Sequence, residues 1–168
     1  MKQSVKLFAA FILFAISFQS LSANNTITNA PANEVQEFVR EAQQTAHLIA
    51  RLIPMVERYR PRTRAEYSFK KGYLSALRKG EALAKRVVAT QGRMTRVQYR
   101  QFQNQLQVLN RELIVLGGRN TSDGPAACML ECDAAYPGWG GGNGWNRFWC
   151  KLACLKIKVG KDGASIGE

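Results

Sequence analysis

The chain has 168 residues, 46% of them hydrophobic, enough for one domain with an appendage and too apolar for wholesale disorder. Its 24 Lys and Arg against 12 Asp and Glu give a formal net charge of +12, which points to an anionic partner: anionic lipid, lipopolysaccharide, polyanionic glycan or an acidic protein. A single histidine excludes His-clustered metal sites and histidine dyads.

Residues 1–23 read as a secretory signal peptide. Lys2 and Lys6 supply a positive n-region, Leu7 to Phe18 a nearly unbroken apolar h-region, and Ser20, Ser22 and Ala23 small residues for cleavage. The apolar run is shorter than the ~20 residues that span a bilayer core, so no transmembrane span is expected in the mature chain. The expectation is export, to the periplasm or the exterior. Export removes the usual nucleic-acid targets and permits disulfides.

After a polar lead-in over 24–32, three amphipathic helical patterns follow, over about 33–60, 63–90 and 95–116. In the first, Val35, Phe38, Ala42, Ile49, Leu52, Ile53 and Val56 recur at three and four. Asn33 reads as its N-cap, Pro54 should kink it or end its first part, and Pro61 ends it. Thr63 with Glu66 has the form of a capping box opening the second helix. That helix gathers Phe69, Tyr73, Ala76, Leu77, Leu83, Ala84 and Val87 on one face, with Gly80 in the middle to admit a close neighbour. Arg64, Lys71, Arg78 and Lys85 recur every seven residues on the opposite side, a basic ridge. Thr95 with Gln98 repeats the capping signature, and Tyr99, Phe102, Leu106, Leu109, Leu113 and Leu116 form the third seam before Gly117-Gly118 stops it. Short turns between such helices predict an antiparallel three-helix bundle over 33–118.

A polar linker over 119–124 precedes a Cys-rich segment over 125–159 and a tail over 160–168. Asn24 and Asn120 each head an Asn-x-Ser/Thr sequon, meaningful in a eukaryotic source. All four cysteines lie in Cys128-Met-Leu-Glu-Cys132 and Cys150-Lys-Leu-Ala-Cys154. A spacing of four places both thiols of a pair on one helix face. Four cysteines allow three connectivities, and the nested one, Cys128–Cys154 with Cys132–Cys150, suits two antiparallel helices. Zinc is the competing use of the thiols, but zinc sites favour tighter Cys-x-x-Cys knuckles. The intervening Pro137-Gly-Trp-Gly-Gly-Gly-Asn-Gly-Trp145 is too glycine-rich for a helix, and a second short helix is expected from Asn146. The fold class is therefore all-α: a three-helix bundle followed by a disulfide-stapled helical hairpin with a Gly/Trp-rich loop. Leu155 to Val159 is the best strand candidate and is also readable as continued helix.

The twin Cys-x-x-x-Cys pairs of Cys128 to Cys154 resemble the stapled helical hairpins of plant α-hairpinin defence peptides and of the small Tim chaperones. That resemblance implies that the two outer cysteines, Cys128 and Cys154, pair together and the two inner ones, Cys132 and Cys150, pair together. Leu113-Ile-Val-Leu-Gly-Gly118 is similar to the double-glycine leaders of secreted bacterial peptides, which implies cleavage after Gly118.

No catalytic constellation emerges. His47 is alone mid-helix, no close carboxylate pair suggests glycoside hydrolysis, and Gly140–Gly144 lacks the strand and lysine of a phosphate loop. No enzyme activity, cofactor or metal is expected. Two candidate surfaces stand out. One is the basic ridge of Arg64, Lys71, Arg78 and Lys85 with the Arg58–Arg64 turn. The other combines Trp139, Trp145, Trp149 and Phe148 with Lys151, Lys156, Lys158 and Lys161, a pairing suited to a bilayer interface; the alternative is that these aromatics pack the hairpin onto the bundle. The functional expectation is an exported, basic binding or effector protein whose ridge steers and whose hairpin anchors. Two rivals are a precursor releasing a Cys-rich antimicrobial or toxin-like peptide, and a secreted structural or adaptor protein that binds a protein partner.

Overall fold

The computed structural model describes residues 30–118 and 125–155, together with the backbone of 157–160 and 163–166. The leader over 1–23, both sequons, the 119–124 linker, Lys156 and Lys161 lie outside the described residues.

Five helices follow in order: α1 (Ala32–Arg58), α2 (Arg64–Ala89), α3 (Arg96–Gly117), α4 (Pro125–Ala135) and α5 (Asn143–Cys154). The chain is all-α in its body, and the first three helices form the bundle. Beyond α5 the backbone turns into a two-stranded antiparallel ribbon, β1 (Ile157–Gly160) and β2 (Gly163–Ile166), with Ile157 opposite Ile166. The helix thus stops at Cys154, and the Ile157–Val159 segment takes the extended alternative that its β-branched residues favour.

Helix starts follow local chemistry. α1 begins two residues earlier than Asn33 would cap it: Pro31 is the N-cap, and its carbonyl accepts from Val35 N at 3.0 Å. Pro54 does not interrupt α1, which continues through Arg58. Proline there removes a single hydrogen bond within two turns of a free C-terminus, and buried Val56 still holds the last turn on the core. Thr63 Oγ1 accepts from Glu66 N at 3.1 Å, while the Glu66 carboxylate turns away from the Thr63 amide, to Arg62 N at 2.6 Å and the Tyr59 hydroxyl at 2.7 Å. At α3 the capping box is complete, with Gln98 Oε1 accepting from Thr95 N and Thr95 Oγ1 from Gln98 N.

α1, α2 and α3 pack in sequence, and α5 wedges between α1 and α3, so that the hairpin's second helix completes the core. Trp145 and Phe148 are fully buried there. Trp145 lies 5.7 Å from Phe38, ring to ring, and Phe148 reaches α2 at Gly80, where an added Cβ would stand 2.8 Å from Phe148 Cζ. Each of these aromatics contributes on the order of 2–3 kcal/mol by leaving water. α4 lies outside, tied to α5 by the disulfides Cys128–Cys154 and Cys132–Cys150, both with Cα atoms 5.7 Å apart. α5 starts at Asn143, one turn before Asn146, because the chain reverses at Gly141 with φ +53° and leaves Gly142 at the N-cap.

Candidate functional site

The Trp/Lys surface expected on the hairpin does not form. Trp145 is fully buried, and Lys151 is 2% exposed with its ammonium 2.8 Å from Asp133 Oδ1. Trp149 is half-buried and donates Nε1–H to Thr45 Oγ1 at 2.9 Å. Trp139 is half-buried too: the Arg147 guanidinium covers its ring at 4.2 Å from the centroid, and its carbonyl accepts from Gln103 Nε2. Of Lys158 the structure gives the backbone alone, in β1. The physical reason is size. Two short helices own too little apolar area to fold apart, so their largest side chains turn inward to the groove between α1 and α3.

The glycine loop is part of that docking. Gly140, Gly141 and Gly142 lie against Glu34, Glu37 and Glu41 of α1; a Cβ at Gly140 would stand 3.2 Å from Glu34 Oε2, and one at Gly141 would collide with the Glu37 carboxylate. Gly141 N donates to the Tyr99 hydroxyl at 2.9 Å, and burial pushes the Tyr99 phenol above its ordinary pKa.

What remains for partners is basic. Arg64, Lys71, Arg78 and Lys85 are all exposed along α2. The ridge is not uniform, however. Arg78 pairs with Glu57 at 2.7 Å, Lys85 with Glu81 at 2.6 Å, and neighbouring Lys79 with Glu112 at 2.8 Å. Arg64 and Lys71 form no ion pair among the described residues.

The same is true of Arg58, Arg60 and Arg62 in the adjoining turn. Local sequence explains it. Pro61 keeps the residue before it out of the helical region, so α1 ends at Arg58 and the chain bends at Arg62 and Thr63 into α2. Tyr59 and Thr63 turn to Glu66, the only carboxylate in the turn. The backbone donor at Arg62, then the Tyr59 hydroxyl, hold the Glu66 carboxyl below its ordinary pKa. The same hydroxyl bond raises the Tyr59 phenol. Lys70 is spent on the end of α1, donating to the carbonyls of Glu57 and Tyr59 at 2.8 and 2.7 Å. Arg58, Arg60, Arg62, Arg64 and Lys71 are left exposed and form no ion pair among the described residues, with Glu66 the one carboxylate beside them.

Beside them, two depressions adjoin on the α2 surface and share Ser68, Gly72 and Ser75. The first, about 550 Å³, is rimmed by Arg64, Tyr67 and Lys71. The second, about 500 Å³, runs between α2 and α3 and is lined by Phe69, Ala76, Val115 and Leu116. Tyr67 and Val115 are 61% and 58% exposed, large for apolar side chains. The sequence reading missed this groove. Its signal was the small-residue line Ser68, Gly72, Ser75 on the side of α2 that meets α3.

Cys128, Cys132 and Cys154 bring their sulfurs within 4.8 Å of one another, the one metal-like grouping among the described residues. Each is already half of a disulfide, so none offers a thiolate. Among the described residues no helix is long and apolar enough to cross a membrane. The chain matches no family model, no curated protein and no solved structure.

Proposed function

We propose that this is an exported, non-enzymatic binding protein that engages an anionic surface through the α1–α2 turn and the first two turns of α2. The observation that carries the reading is the group Arg58, Arg60, Arg62, Arg64 and Lys71, exposed and forming no ion pair among the described residues, while the rest of the ridge, Arg78 and Lys85, is paired with Glu57 and Glu81. Like charges kept together raise the local potential and attract polyanions or acidic lipid. In this account the hairpin is the part that stabilises, and the turn is the part that binds.

The disulfides and the apolar leader pattern support an oxidising, extracytoplasmic location. Release of a free Cys-rich peptide is the less favoured reading, because Trp145 and Phe148 would leave the core and face water.

The test is flotation with vesicles of mixed phosphatidylglycerol and phosphatidylcholine. Wild-type protein should float with the acidic vesicles at low salt and not with pure phosphatidylcholine. The combined Arg60→Gln, Arg62→Gln, Arg64→Gln, Lys71→Gln variant should stay behind. Equal flotation of the two proteins would remove the turn from the account.

A further inference from the structure

The two depressions on α2 differ in chemistry and meet along a shared edge, and we infer that together they seat one anionic lipid, its phosphate on Arg64 and Lys71 and one acyl chain in the groove between α2 and α3. This deepens the reading above and rests on it, since the same two cations serve both.

Arg64 and Lys71 are seven residues apart on α2, two turns along one face, and both line the first depression. Ser68 and Ser75 add hydroxyls on the same rim. Neither cation has a carboxylate partner among the described residues, so a phosphate arriving there displaces no internal ion pair. Charge complementarity fixes the sign of the head group.

The second depression continues from the first across Gly72. Its walls are Phe69 and Ala76 from α2, Val115 and Leu116 from α3. Gly72 lets Leu116 of α3 close against α2 and form part of the trough's lining: a Cβ there would stand 2.8 Å from Leu116 Cδ1. Its one carboxylate, Glu112, is bound to Lys79 at 2.8 and 2.9 Å and so does not repel the ligand as a free charge would. A ligand with a polar head alone would leave this trough wet. An uncharged apolar ligand would leave Arg64 and Lys71 unused. An acyl chain carrying a phosphate uses both.

Each methylene removed from water is worth about fourfold in affinity, so seating three or four should add roughly a hundredfold over the head group alone. The experiment is calorimetric titration of the full chain with dodecyl phosphate below its micelle concentration, beside inorganic phosphate and dodecyl maltoside. Dodecyl phosphate should bind one per chain, about a hundredfold tighter than inorganic phosphate and tighter than dodecyl maltoside, which has the same tail and no charge for Arg64 and Lys71. Gly72→Leu fills the trough and should cut dodecyl phosphate affinity at least tenfold while leaving retention on dextran sulfate unchanged. Ser75→Phe, at an exposed position, blocks the same trough from its rim and covers the case in which Leu116 cannot yield to a new side chain. Dodecyl phosphate that binds no tighter than inorganic phosphate, or equally to wild type and both blocked variants, would overturn the lipid seat. Loss of dextran sulfate retention belongs to the basic turn instead, and is read from Arg64→Gln with Lys71→Gln.

Discussion

Trp149 Nε1 donates to Thr45 Oγ1 at 2.9 Å, joining α5 to α1 across 104 residues of sequence. Thr45 is 1% exposed, a polar side chain inside an otherwise apolar stripe of α1, and the indole is what satisfies it. The bond orients the hairpin, because apolar packing alone would tolerate a slide of α5 along the groove.

Thr45→Val keeps the shape and removes the acceptor, leaving a part-buried indole N–H without its partner. The cost should be about 1–3 kcal/mol, read by urea unfolding. Trp149→Phe in the Thr45→Val background should cost less than the sum of the two single changes, since the donor and acceptor go together. Strict additivity would show that the bond does not couple the helices.

Gly80→Ala sets two effects of opposite sign against each other. Alanine is favoured by about 1 kcal/mol in a helix interior. The new Cβ would stand 2.8 Å from Phe148 Cζ and 3.2 Å from Ile49 Cδ1, both fully buried side chains with no room to retreat. Overpacking of that kind costs about 1–3 kcal/mol, so the variant should be less stable, by about 1 kcal/mol net, with a lower Tm. A rise in Tm would mean that the hairpin does not press on α2.

Asp133 faces two buried cations: Lys151 Nζ at 2.8 Å and Arg147 Nε at 3.3 Å. Arg147 also donates to the carbonyls of Tyr136 and Gly138, which fastens the loop after α4. Asp133→Asn strands the Lys151 charge and should destabilise by roughly 2–3 kcal/mol, below the fully buried case because Asp133 is 36% exposed. Lys151→Met should be neutral or stabilising, since it removes a buried charge and leaves Asp133 with Arg147. Thermal unfolding of both variants checks the pair of signs.

Burial pushes the Tyr73 phenol from 10.0 up to about 12. The folded state therefore keeps a proton that the unfolded chain gives up first. The contribution is whole below about pH 10 and is lost as pH rises towards about 12, worth at most about 3 kcal/mol. Wild-type stability should fall across that window, and Tyr73→Phe should fall less. Parallel denaturation series near pH ~9 and ~11 decide it; equal losses would assign the alkaline limb to other groups.

Much of the fold was legible because it depends on local rules. Thr63 and Thr95 cap their helices as their sequence context indicates, and Pro61 separates α1 from α2. A spacing of four in both cysteine pairs matches the nested bonds on antiparallel helices. Helix starts at Pro31 and Gly142 differ from expectation by two or three residues, and the other misreadings concern which side of a residue meets which neighbour. Trp145 and Lys151 carry no local mark that separates a membrane anchor from a core plug; α5 filling the space between α1 and α3 decides it. Glu81, four residues before Lys85 on the same helix, marks that pair locally, whereas nothing near Arg78 in the second helix tells that it is paired. Glu57, on another helix, answers for Arg78. Pro54 is tolerated because Val56 is buried beyond it, a tertiary fact.

The central claim is that the α1–α2 turn binds and the hairpin only stabilises. It is tested most directly by the salt dependence of dextran sulfate binding for three proteins: wild type, the combined Arg60→Gln, Arg62→Gln, Arg64→Gln, Lys71→Gln variant, and Trp139→Ala. Screening weakens exposed charge contacts as ionic strength rises. The account predicts a steep loss of wild-type affinity with salt, a shallow dependence and weak binding for the four-fold variant, and a Trp139→Ala curve that overlays wild type. A Trp139→Ala protein that loses binding while the four-fold variant retains the wild-type slope would contradict it.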